Sequence, residues 1–323
     1  MDFDFEKSLQ PLRDQIAELE AKSANGNAAD NERLAKLHRQ LEAELAKLYQ
    51  NLSPWDIVQV ARHPGRPTCR QYAEKMCDEF IELHGDRVFG DDPAIIGGLA
   101  RIGKTRFVLI GHQKGSTTEE RMACRFGMAN PEGYRKAIRL MHLAEKFGIP
   151  VVTLVDTSGA FPGLDAEERG QAEAIGRNLM EMADLRTPIL TIVTGEGGSG
   201  GAIGIAVGDR ILMMEFAVYS VISPEGCASI LWRDGSKAPE AAEALHITSH
   251  DLAKLKVIDG VIPEPTGGAH TNPDQTIANV REAILKNLKS LASLPGGDRL
   301  VESRYRKFAA MGHFVKKNAI RID

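Results

Sequence analysis

The first fifty residues carry apolar side chains at helical spacing among many charged ones. Four apolar residues lie between positions 9 and 19, and five leucines lie between positions 34 and 48. Spacings of three and four residues place such side chains on one face of a helix. Because Asn25-Gly26 lies between the two stretches and favours a turn, the pattern predicts an N-terminal helical hairpin that serves as an interaction arm.

From residue 95 onward, short β-type runs alternate with helical ones. We predict strands over 95–102, 106–112, 149–156, 188–193 and 210–222. We predict helices over 71–83, 131–147, 166–183 and 273–291, and a further helix capped by Ser223 with Pro224 in its first turn. Such alternation is typical of an α/β domain.

These patterns divide the chain into three parts. Residues 1–52 form the helical hairpin, residues 53–295 form the α/β body, and residues 296–323 form a tail. The first boundary is placed at Ser53-Pro54-Trp55, where the composition changes. Because the tail is polar and basic, we expect it to pack loosely.

Composition narrows the classes of function. The chain has 323 residues, of which 43% are hydrophobic, enough to bury a substantial core. Its 40 Lys and Arg residues against 44 Asp and Glu residues give a net charge of −4. Since nucleic acids and anionic membrane surfaces attract basic proteins, we expect neither as a partner.

The N-terminus and the cysteines bear on compartment and metal binding. The N-terminus is acidic and lacks an apolar signal core, and no run of 18 apolar residues occurs in the chain, which favours a cytoplasmic protein. The four cysteines are widely spaced and form no C-x-x-C pair. We therefore predict neither a disulfide framework nor a metal site in this chain.

Two glycine-rich segments follow predicted strands and precede helices. The first glycine segment, D-T-S-G-A-F-P-G, spans residues 156–163, and the second glycine segment, G-E-G-G-S-G-G-A, spans residues 195–202. Backbone N–H groups at the start of a helix lack intrahelical partners and stabilise negative charge. Glycine also lets a ligand oxygen approach the main chain closely. Both segments are therefore candidate anion-stabilising sites.

The second glycine segment fits three interpretations. As G-x-G-x-x-G, with Gly195, Gly197, Gly200 and Glu215 about 20 residues further on, it suggests a dinucleotide site. The short stretch that follows argues against this interpretation. A phosphate-binding P-loop is excluded, because the G-K-[ST] ending is absent.

As G-x-S-x-G, the same segment suggests a serine hydrolase with Ser199 as the nucleophile. The downstream residues that would complete such a triad are Asp209 or Asp234 with His246, His250 or His270. No upstream H-G-G-G type segment for an oxyanion hole occurs. In the third interpretation the main-chain N–H groups form the oxyanion hole themselves and no side chain acts as a nucleophile.

Seven longer stretches together resemble one family, the α subunits of acetyl-CoA carboxylase carboxyltransferase. They are R-H-P-G-R-P (62–67), G-H-Q-K-G (111–115), F-G-M-A-N-P-E-G-Y-R-K-A (126–137), A-E-E-R-G-Q (166–171), the second glycine segment, Y-S-V-I-S-P-E-G-C-A-S-I-L-W (219–232) and I-P-E-P-T-G-G-A-H (262–270). The resemblance implies a crotonase-like α/β fold, a superhelix of ββα units preceded by the N-terminal hairpin.

The resemblance also implies an activity and its partners. The family transfers the carboxyl group from carboxybiotin, carried on the biotin carboxyl carrier protein, to acetyl-CoA, giving malonyl-CoA for fatty acid synthesis. It implies a β subunit that carries a zinc ribbon, an α2β2 heterotetramer, and biotin carboxylase in the full complex. No metal is implied for this chain.

Site residues follow from the same resemblance. The backbone N–H groups of Gly200 and Gly201 are expected to stabilise the biotin enolate. Gly159, Ala160 and Gly163 are expected to shape the biotin end of the site.

The first glycine segment departs from the family pattern at two positions. Ser158 stands where the family usually has proline, and Phe161 stands where it usually has tyrosine. Because the backbone donors remain, we expect these differences to change the stiffness of the segment without abolishing the site.

Two side chains at the end of a predicted strand are further candidates. Lys114 could meet a CoA phosphate or the biotin carboxylate, although a solvated loop lysine explains it as well. His112 is a candidate hydrogen-bond donor to substrate, with a structural role as the alternative.

Overall fold

A computed structural model of the chain describes residues 3–23, 28–294 and 296–312. The helices are α1 Gln10–Ser23, α2 Ala28–Tyr49, α3 Pro54–Ala61, α4 Cys69–Met76, α5 Thr118–Ala123, α6 Pro131–Phe147, α7 Leu164–Glu168, α8 Gln171–Asp184, α9 Ser199–Ile203, α10 Pro224–Trp232, α11 Ala238–Leu245, α12 Ser249–Lys254, α13 Pro273–Leu291 and α14 Asp298–Ala309. The strands are β1 Glu79–Glu82, β2 Ile95–Ile102, β3 Thr105–His112, β4 Val151–Thr157, β5 Ile189–Gly198, β6 Arg210–Met214, β7 Val218–Ser220 and β8 Gly260–Ile262.

These strands form one mixed sheet in the order β1-β2-β3-β4-β5-β6-β8, and β7 pairs with the end of β5. The pairs β1-β2 and β2-β3 are antiparallel, whereas β3, β4, β5, β6 and β8 run parallel. Parallel neighbours end at the same edge of a sheet, so the segments that follow β4 and β5 lie side by side. Thr157 pairs with Gly197 at this edge.

The central strands are buried along nearly their whole length. All ten residues of β5 and six of the seven in β4 are buried, as expected for parallel strands covered on both faces. Helix α6 contacts β2, β3 and α8, and α13 contacts α4, β5 and β8. The edge of the sheet that carries the glycine segments is therefore built on a rigid, fully packed core.

Several helices begin and end where the sequence predicts. Helices α6 and α13 have the predicted bounds, and each has proline in its first turn. Helix α6 ends at Gly148, whose φ of 63° is the left-handed conformation that glycine adopts readily. The hydroxyl of Ser223 accepts a hydrogen bond from the N–H of Gly226 at 3.1 Å, which confirms the predicted cap of α10.

Three predicted elements are wrong in detail. The helix predicted over 71–83 ends at Met76, and the rest of the stretch contains the edge strand β1. The helix predicted over 166–183 is divided into α7 and α8 at Gly170, where φ is 83°. The strand predicted over 210–222 is divided into β6 and β7 by a turn in which Ala217 N–H donates to the Met214 carbonyl.

Helices α1 and α2 contact each other, polar bonds hold the arm together, and an aromatic contact joins it to the body. The Tyr49 hydroxyl donates to Glu6 Oε1 at 2.6 Å, and Arg13 pairs with the same carboxylate at 2.5 Å. The Tyr49 ring packs edge-on against Phe216, with centroids 5.4 Å apart. The predicted Asn25-Gly26 turn lies outside the described residues.

The expectation of a loosely packed tail is wrong for α14. Arg304 of this helix is 1% exposed, and its guanidinium forms a buried ion pair with Asp209 at 2.8 Å. The same guanidinium donates to the carbonyls of Met182, Leu185 and Thr187. A basic residue of the tail therefore ties α14 to the core.

Across the three described ranges, none of the helices is both long enough and apolar enough to cross a membrane.

Candidate active site

The second glycine segment forms the junction between β5 and α9. Gly195 to Gly198 end the strand, and the chain then turns at Ser199, whose φ of 53° is unusual for a residue with a side chain. The N–H groups of Gly200 and Gly201 donate no hydrogen bond to any residue in the described ranges. Gly200 is partly exposed and Gly201 is buried. Two adjacent main-chain donors are thus available at this turn.

The two glycine segments are in direct van der Waals contact. A Cβ atom on Gly201 would lie 2.5 Å from the Ala160 nitrogen and 2.6 Å from the Gly159 carbonyl oxygen. A Cβ atom on Gly198 would overlap the Ser158 backbone. The structure therefore brings four of the five predicted glycine-segment residues (Gly159, Ala160, Gly200 and Gly201) into one small region.

The first glycine segment is held in shape by hydrogen bonds on both sides of Gly159 and Ala160. The Thr157 hydroxyl donates to the Gly159 carbonyl at 2.7 Å and accepts from the Gly159 N–H at 3.2 Å. On the other side, the Gln171 side-chain amide donates to the Phe161 carbonyl at 2.9 Å and to the Ala129 carbonyl at 2.8 Å. Gly163, at the end of the segment, has no room for a Cβ beside the Phe161 ring.

Lys114 lies at the same edge of the sheet but is not a free cation. Its ammonium pairs with Asp156 at 2.7 Å. The same carboxylate accepts the N–H of Glu196 at 2.9 Å, so it joins the 111–115 loop to both glycine segments. The geometry thus makes Lys114 part of a polar link rather than an isolated phosphate-binding side chain.

His112 ends β3 and is only 1% exposed. Neither ring nitrogen has a hydrogen-bond partner among the described residues. Burial lowers the pKa of His112 to about 4, because a charged imidazolium loses its hydration there, while the Asp156 carboxylate acts in the opposite direction. The ring is therefore neutral at pH 7 and lies beneath the second glycine segment, out of reach of solvent.

The R-H-P-G-R-P loop packs against the end of β5. Arg62 is bonded to Glu196 and to Glu225. Arg66, which is 5% exposed, donates to the Thr194 carbonyl at 2.7 Å and pairs with Glu264 at 2.7 Å. Both arginines of this loop thus contact the strand that leads into the second glycine segment.

A cleft of about 270 Å³ opens between these elements. Its lining includes Arg62, Lys114, Arg121, Phe126 and Ser158. Arg121 spans the cleft by donating to the Pro64 carbonyl at 3.0 Å. The cleft therefore combines polar groups with one exposed aromatic ring next to the two glycine segments.

The dinucleotide interpretation does not fit this geometry. Gly195 and Gly197 lie inside β5 and not in a loop, and α9 has only five residues. Glu215 is engaged through its carboxylate by the N–H of Glu264 at 3.0 Å.

The hydrolase interpretation lacks its base. Asp209 is held by Arg304, and Asp234 caps a short turn through Ser236. His250 contacts Ser249, and the His270 ring is stacked on His63 at 3.7 Å. No histidine in the described part of the chain is hydrogen-bonded to Ser199, so no triad is assembled.

Groups of three or more His, Cys, Asp or Glu side chains suited to a metal ion do not occur among the described residues. The four cysteines are free thiols.

Sequence reasoning missed three residues that the structure places around the glycine segments. Arg62, Arg66 and Gln171 belong to motifs that were recognised for their family likeness but were given no role. The two arginines act through partners far away in the chain: Arg62 and Glu196 are 134 residues apart, and Arg66 and Thr194 are 128 residues apart. The sequence signal for a role was the presence of two arginines in the glycine- and proline-containing loop 62–67. Each guanidinium there needs hydrogen-bond acceptors from elsewhere in the fold.

Comparison with known proteins agrees with this geometry. A family model described as acetyl co-enzyme A carboxylase carboxyltransferase-like matches residues 2–312. The acetyl-coenzyme A carboxylase carboxyl transferase subunit alpha of Thermus thermophilus is 52% identical over 320 residues, which cover 98% of this chain and 100% of the relative. The subunit of the same name from Burkholderia vietnamiensis is 54% identical over 314 residues, 96% of each chain.

Solved structures support the fold. A transcarboxylase 12S structure superposes with a TM-score of 0.60 at 19% identity, covering 74% of this chain and 44% of that chain. The beta subunit of Pseudomonas aeruginosa geranyl-CoA carboxylase superposes with a TM-score of 0.55 at 18% identity, covering 77% of this chain and 47% of that chain. The predicted fold class, crotonase-like α/β with N-terminal helices, is confirmed. With this fold and the match over nearly the whole length, the chain belongs to the acetyl-CoA carboxylase carboxyltransferase-like family.

Proposed function

We propose that the chain is the α subunit of an acetyl-CoA carboxylase carboxyltransferase, which transfers the carboxyl group from carboxybiotin to acetyl-CoA and produces malonyl-CoA for fatty acid synthesis. The proposal rests on the family and on one observation above all. Two adjacent N–H groups, at Gly200 and Gly201, lack a partner among the described residues and lie against the first glycine segment.

Carboxyl transfer needs stabilisation of oxygen atoms that gain negative charge, and main-chain donors fixed in advance provide it without reorganisation. Carboxybiotin supplies the carboxyl group in this reaction. Gly200 and Gly201 donate hydrogen bonds to the oxygen of the bound ring as it gains charge. Because glycine has no side chain at these positions, that oxygen can approach the main chain within hydrogen-bonding distance.

The other candidate residues shape the site. Gly159, Ala160 and Gly163 form the wall of the biotin end, and the cleft beside Ser158 leads to it. Lys114 keeps Asp156 in place through their ion pair. Only 23% of the Lys114 side chain is exposed, so little of it is available to contact substrate. His112 supports the second glycine segment from below as a neutral ring.

The proposal includes partners that complete the enzyme. A β subunit with a zinc ribbon contributes the other half of the active site in an α2β2 heterotetramer. The biotin carboxyl carrier protein delivers carboxybiotin, and biotin carboxylase regenerates it. We place the complex in the cytoplasm, and we assign residues 1–52, 53–295 and 296–323 to the helical arm, the catalytic body and the tail.

The test is reconstitution with the β subunit. We expect the two chains to co-purify and to decarboxylate malonyl-CoA in the presence of biotin, and we expect this chain alone to be inactive. Absence of activity in a well-folded complex would refute the proposal.

Two controls separate the alternative functions. Ser199→Ala should keep most of the activity, and a fluorophosphonate probe should not label the wild-type chain, because no side-chain nucleophile is used. NADH fluorescence should not change when the protein is added. Covalent labelling of Ser199 or saturable NADH binding would favour the hydrolase or the oxidoreductase.

A further inference from the structure

Three distant parts of the chain meet at Arg62. This arginine ends α3 and begins the R-H-P-G-R-P loop. Its Nε and one terminal nitrogen donate to Glu196 Oε1 at 2.9 and 2.8 Å, and its other terminal nitrogen donates to Glu225 Oε1 at 2.5 Å. Glu196 belongs to the second glycine segment, and Glu225 lies in the first turn of α10.

Glu196 is held through both its side chain and its backbone. Its side chain is 10% exposed and bonded to Arg62, and its N–H donates to Asp156 Oδ1 at 2.9 Å. It precedes Ser199 by three residues in the chain. A displacement of Glu196 would therefore also displace the turn that presents the N–H groups of Gly200 and Gly201.

That turn needs external support. Ser199 has a φ of 53°, a conformation that costs free energy for a residue with a side chain and persists where the surrounding contacts enforce it. The Ser199 hydroxyl makes no hydrogen bond to the described residues, so the conformation is not maintained by its own side chain. The contacts that enforce it come from the strand end before it and from the close approach of Gly198 to Ser158.

We infer that Arg62 is a positioning residue for carboxyl transfer: by holding Glu196 and Glu225 together, it sets the direction of the Gly200 and Gly201 N–H groups. This inference deepens the proposed function and rests on it. Arg66 supports the same strand two residues earlier, at the Thr194 carbonyl.

Arginine is required at position 62 for geometric reasons. A planar guanidinium presents several N–H groups in fixed directions and can bridge two carboxylates at once. A lysine ammonium at the end of a flexible stem keeps the charge but cannot reproduce both sets of bonds. Arg62→Lys therefore tests geometry with the charge preserved.

The experiment compares variants in the complex with the β subunit, using malonyl-CoA decarboxylation with free biotin. Arg62→Lys and Arg62→Ala should lower kcat by about 10- to 100-fold while the KM for malonyl-CoA changes by less than about twofold, because the aligned donors act on the transition state. Added guanidinium should raise the kcat of Arg62→Ala at least about fivefold by restoring the bridge.

Arg101→Lys is the matched control. Arg101 pairs with Glu79 through Nε and a terminal nitrogen at 3.1 and 2.7 Å, and its side chain is 33% exposed against 28% for Arg62, but it lies on β2, away from the glycine segments. The kcat of the Arg101→Lys variant should equal that of the wild type. The thermal midpoints of the two charge-preserving variants, Arg62→Lys and Arg101→Lys, should agree within about 3 °C.

Each result decides the matter. Unchanged kcat in Arg62→Lys overturns the inference. A lowered kcat also overturns it if the thermal midpoint of Arg62→Lys lies more than about 3 °C below that of Arg101→Lys, or if guanidinium fails to restore the kcat of Arg62→Ala. An inactive wild-type complex overturns the proposed function itself, and the inference with it. Loss of kcat at constant KM, with rescue, supports both.

Discussion

Gly200 and Gly201 are neighbours in sequence but differ in the space around them. A Cβ on Gly200 would meet Ile175 Cδ1 at 3.6 Å, an ordinary contact, whereas a Cβ on Gly201 would overlap the Gly159-Ala160 backbone. From the sequence, Gly201 is expected to matter because a missing side chain lets a ligand oxygen approach its N–H group. The structure adds a second reason, because a side chain at Gly201 would push the two glycine segments apart.

We therefore predict that alanine substitutions at these two positions differ in their effect on stability. Gly200→Ala should leave the free energy of unfolding within about 1 kcal/mol of the wild type. Gly201→Ala should destabilise the chain by about 1–3 kcal/mol, the typical cost of overpacking, and should abolish most carboxyl transfer. Urea denaturation and the reconstituted assay provide the two measurements. Equal stability of the two variants would contradict the steric argument.

Ser158 occupies a position where the family usually has proline. It is exposed, it lines the cleft, and its side chain makes no hydrogen bond to the described residues. Proline restricts the unfolded chain, so Ser158→Pro should raise the free energy of unfolding by about 0.4–1 kcal/mol with little change in kcat. A loss of stability would show that the Ser158 backbone cannot accept proline in this chain. Ser158→Ala serves as the control for loss of the hydroxyl alone.

At the scale of the elements, α14, the last helix of the described chain, carries a buried charge at Arg304. The Arg304 and Asp209 side chains are 1% and 4% exposed, and all five guanidinium hydrogen bonds are made to Asp209 or to carbonyls that precede β5. Asp209 Oδ2 also accepts the N–H of Ile189, the first residue of β5. This cluster fixes the start of the strand whose other end is the second glycine segment.

Breaking this ion pair should be costly. Arg304→Met leaves Asp209 buried without its countercharge, and we expect the free energy of unfolding to fall by about 3–5 kcal/mol. Arg306→Met, on the same helix, removes an exposed pair with Glu302 and should cost at most about 1 kcal/mol. Denaturant titration of both variants is the measurement. Similar values for the two would show that burial of the pair contributes nothing.

The elements also show what sequence can predict. Helices α6 and α13 were predicted with the correct bounds because apolar periodicity, proline in the first turn and glycine or a cap at the ends all agree there. Strand β1 was missed because an exposed edge strand of four residues with two glutamates resembles a charged helix surface. The burial of Arg304 could not be predicted, since its acceptors come from residues 95 to 122 positions away.

At the scale of the whole molecule, the candidate site likewise combines local sequence signals with contacts between distant residues. Both glycine segments were recognised from sequence because each is a local signal at a strand end. Their mutual contact depends on β4 and β5 being adjacent parallel strands, and the support from Arg62 depends on a loop before β1. Such relations arise from topology, so spacing along the chain does not reveal them.

Acid stability is a property of the whole molecule that depends on histidines with lowered pKa values. The pKa of His112 and that of His270 are both lowered to about 4, chiefly by burial, from an unfolded value of about 6.5. Above pH 6.5 both rings are neutral in the folded and the unfolded chain. As the pH falls from 6.5 to 4, the unfolded chain binds protons that the folded chain does not, so the free energy of unfolding decreases across this window.

We predict that the completely buried His112 contributes up to about 1.4 kcal/mol of this loss per pH unit, while the partly exposed His270 contributes less. His112→Gln should therefore show a shallower decline between pH 6.5 and 4 in urea denaturation. His38→Gln, which removes a half-exposed ring from α2, controls for the substitution itself. If His112→Gln declined as steeply as the wild type, His112 would have to be protonated in the folded chain, and a neutral ring could not be what supports the second glycine segment.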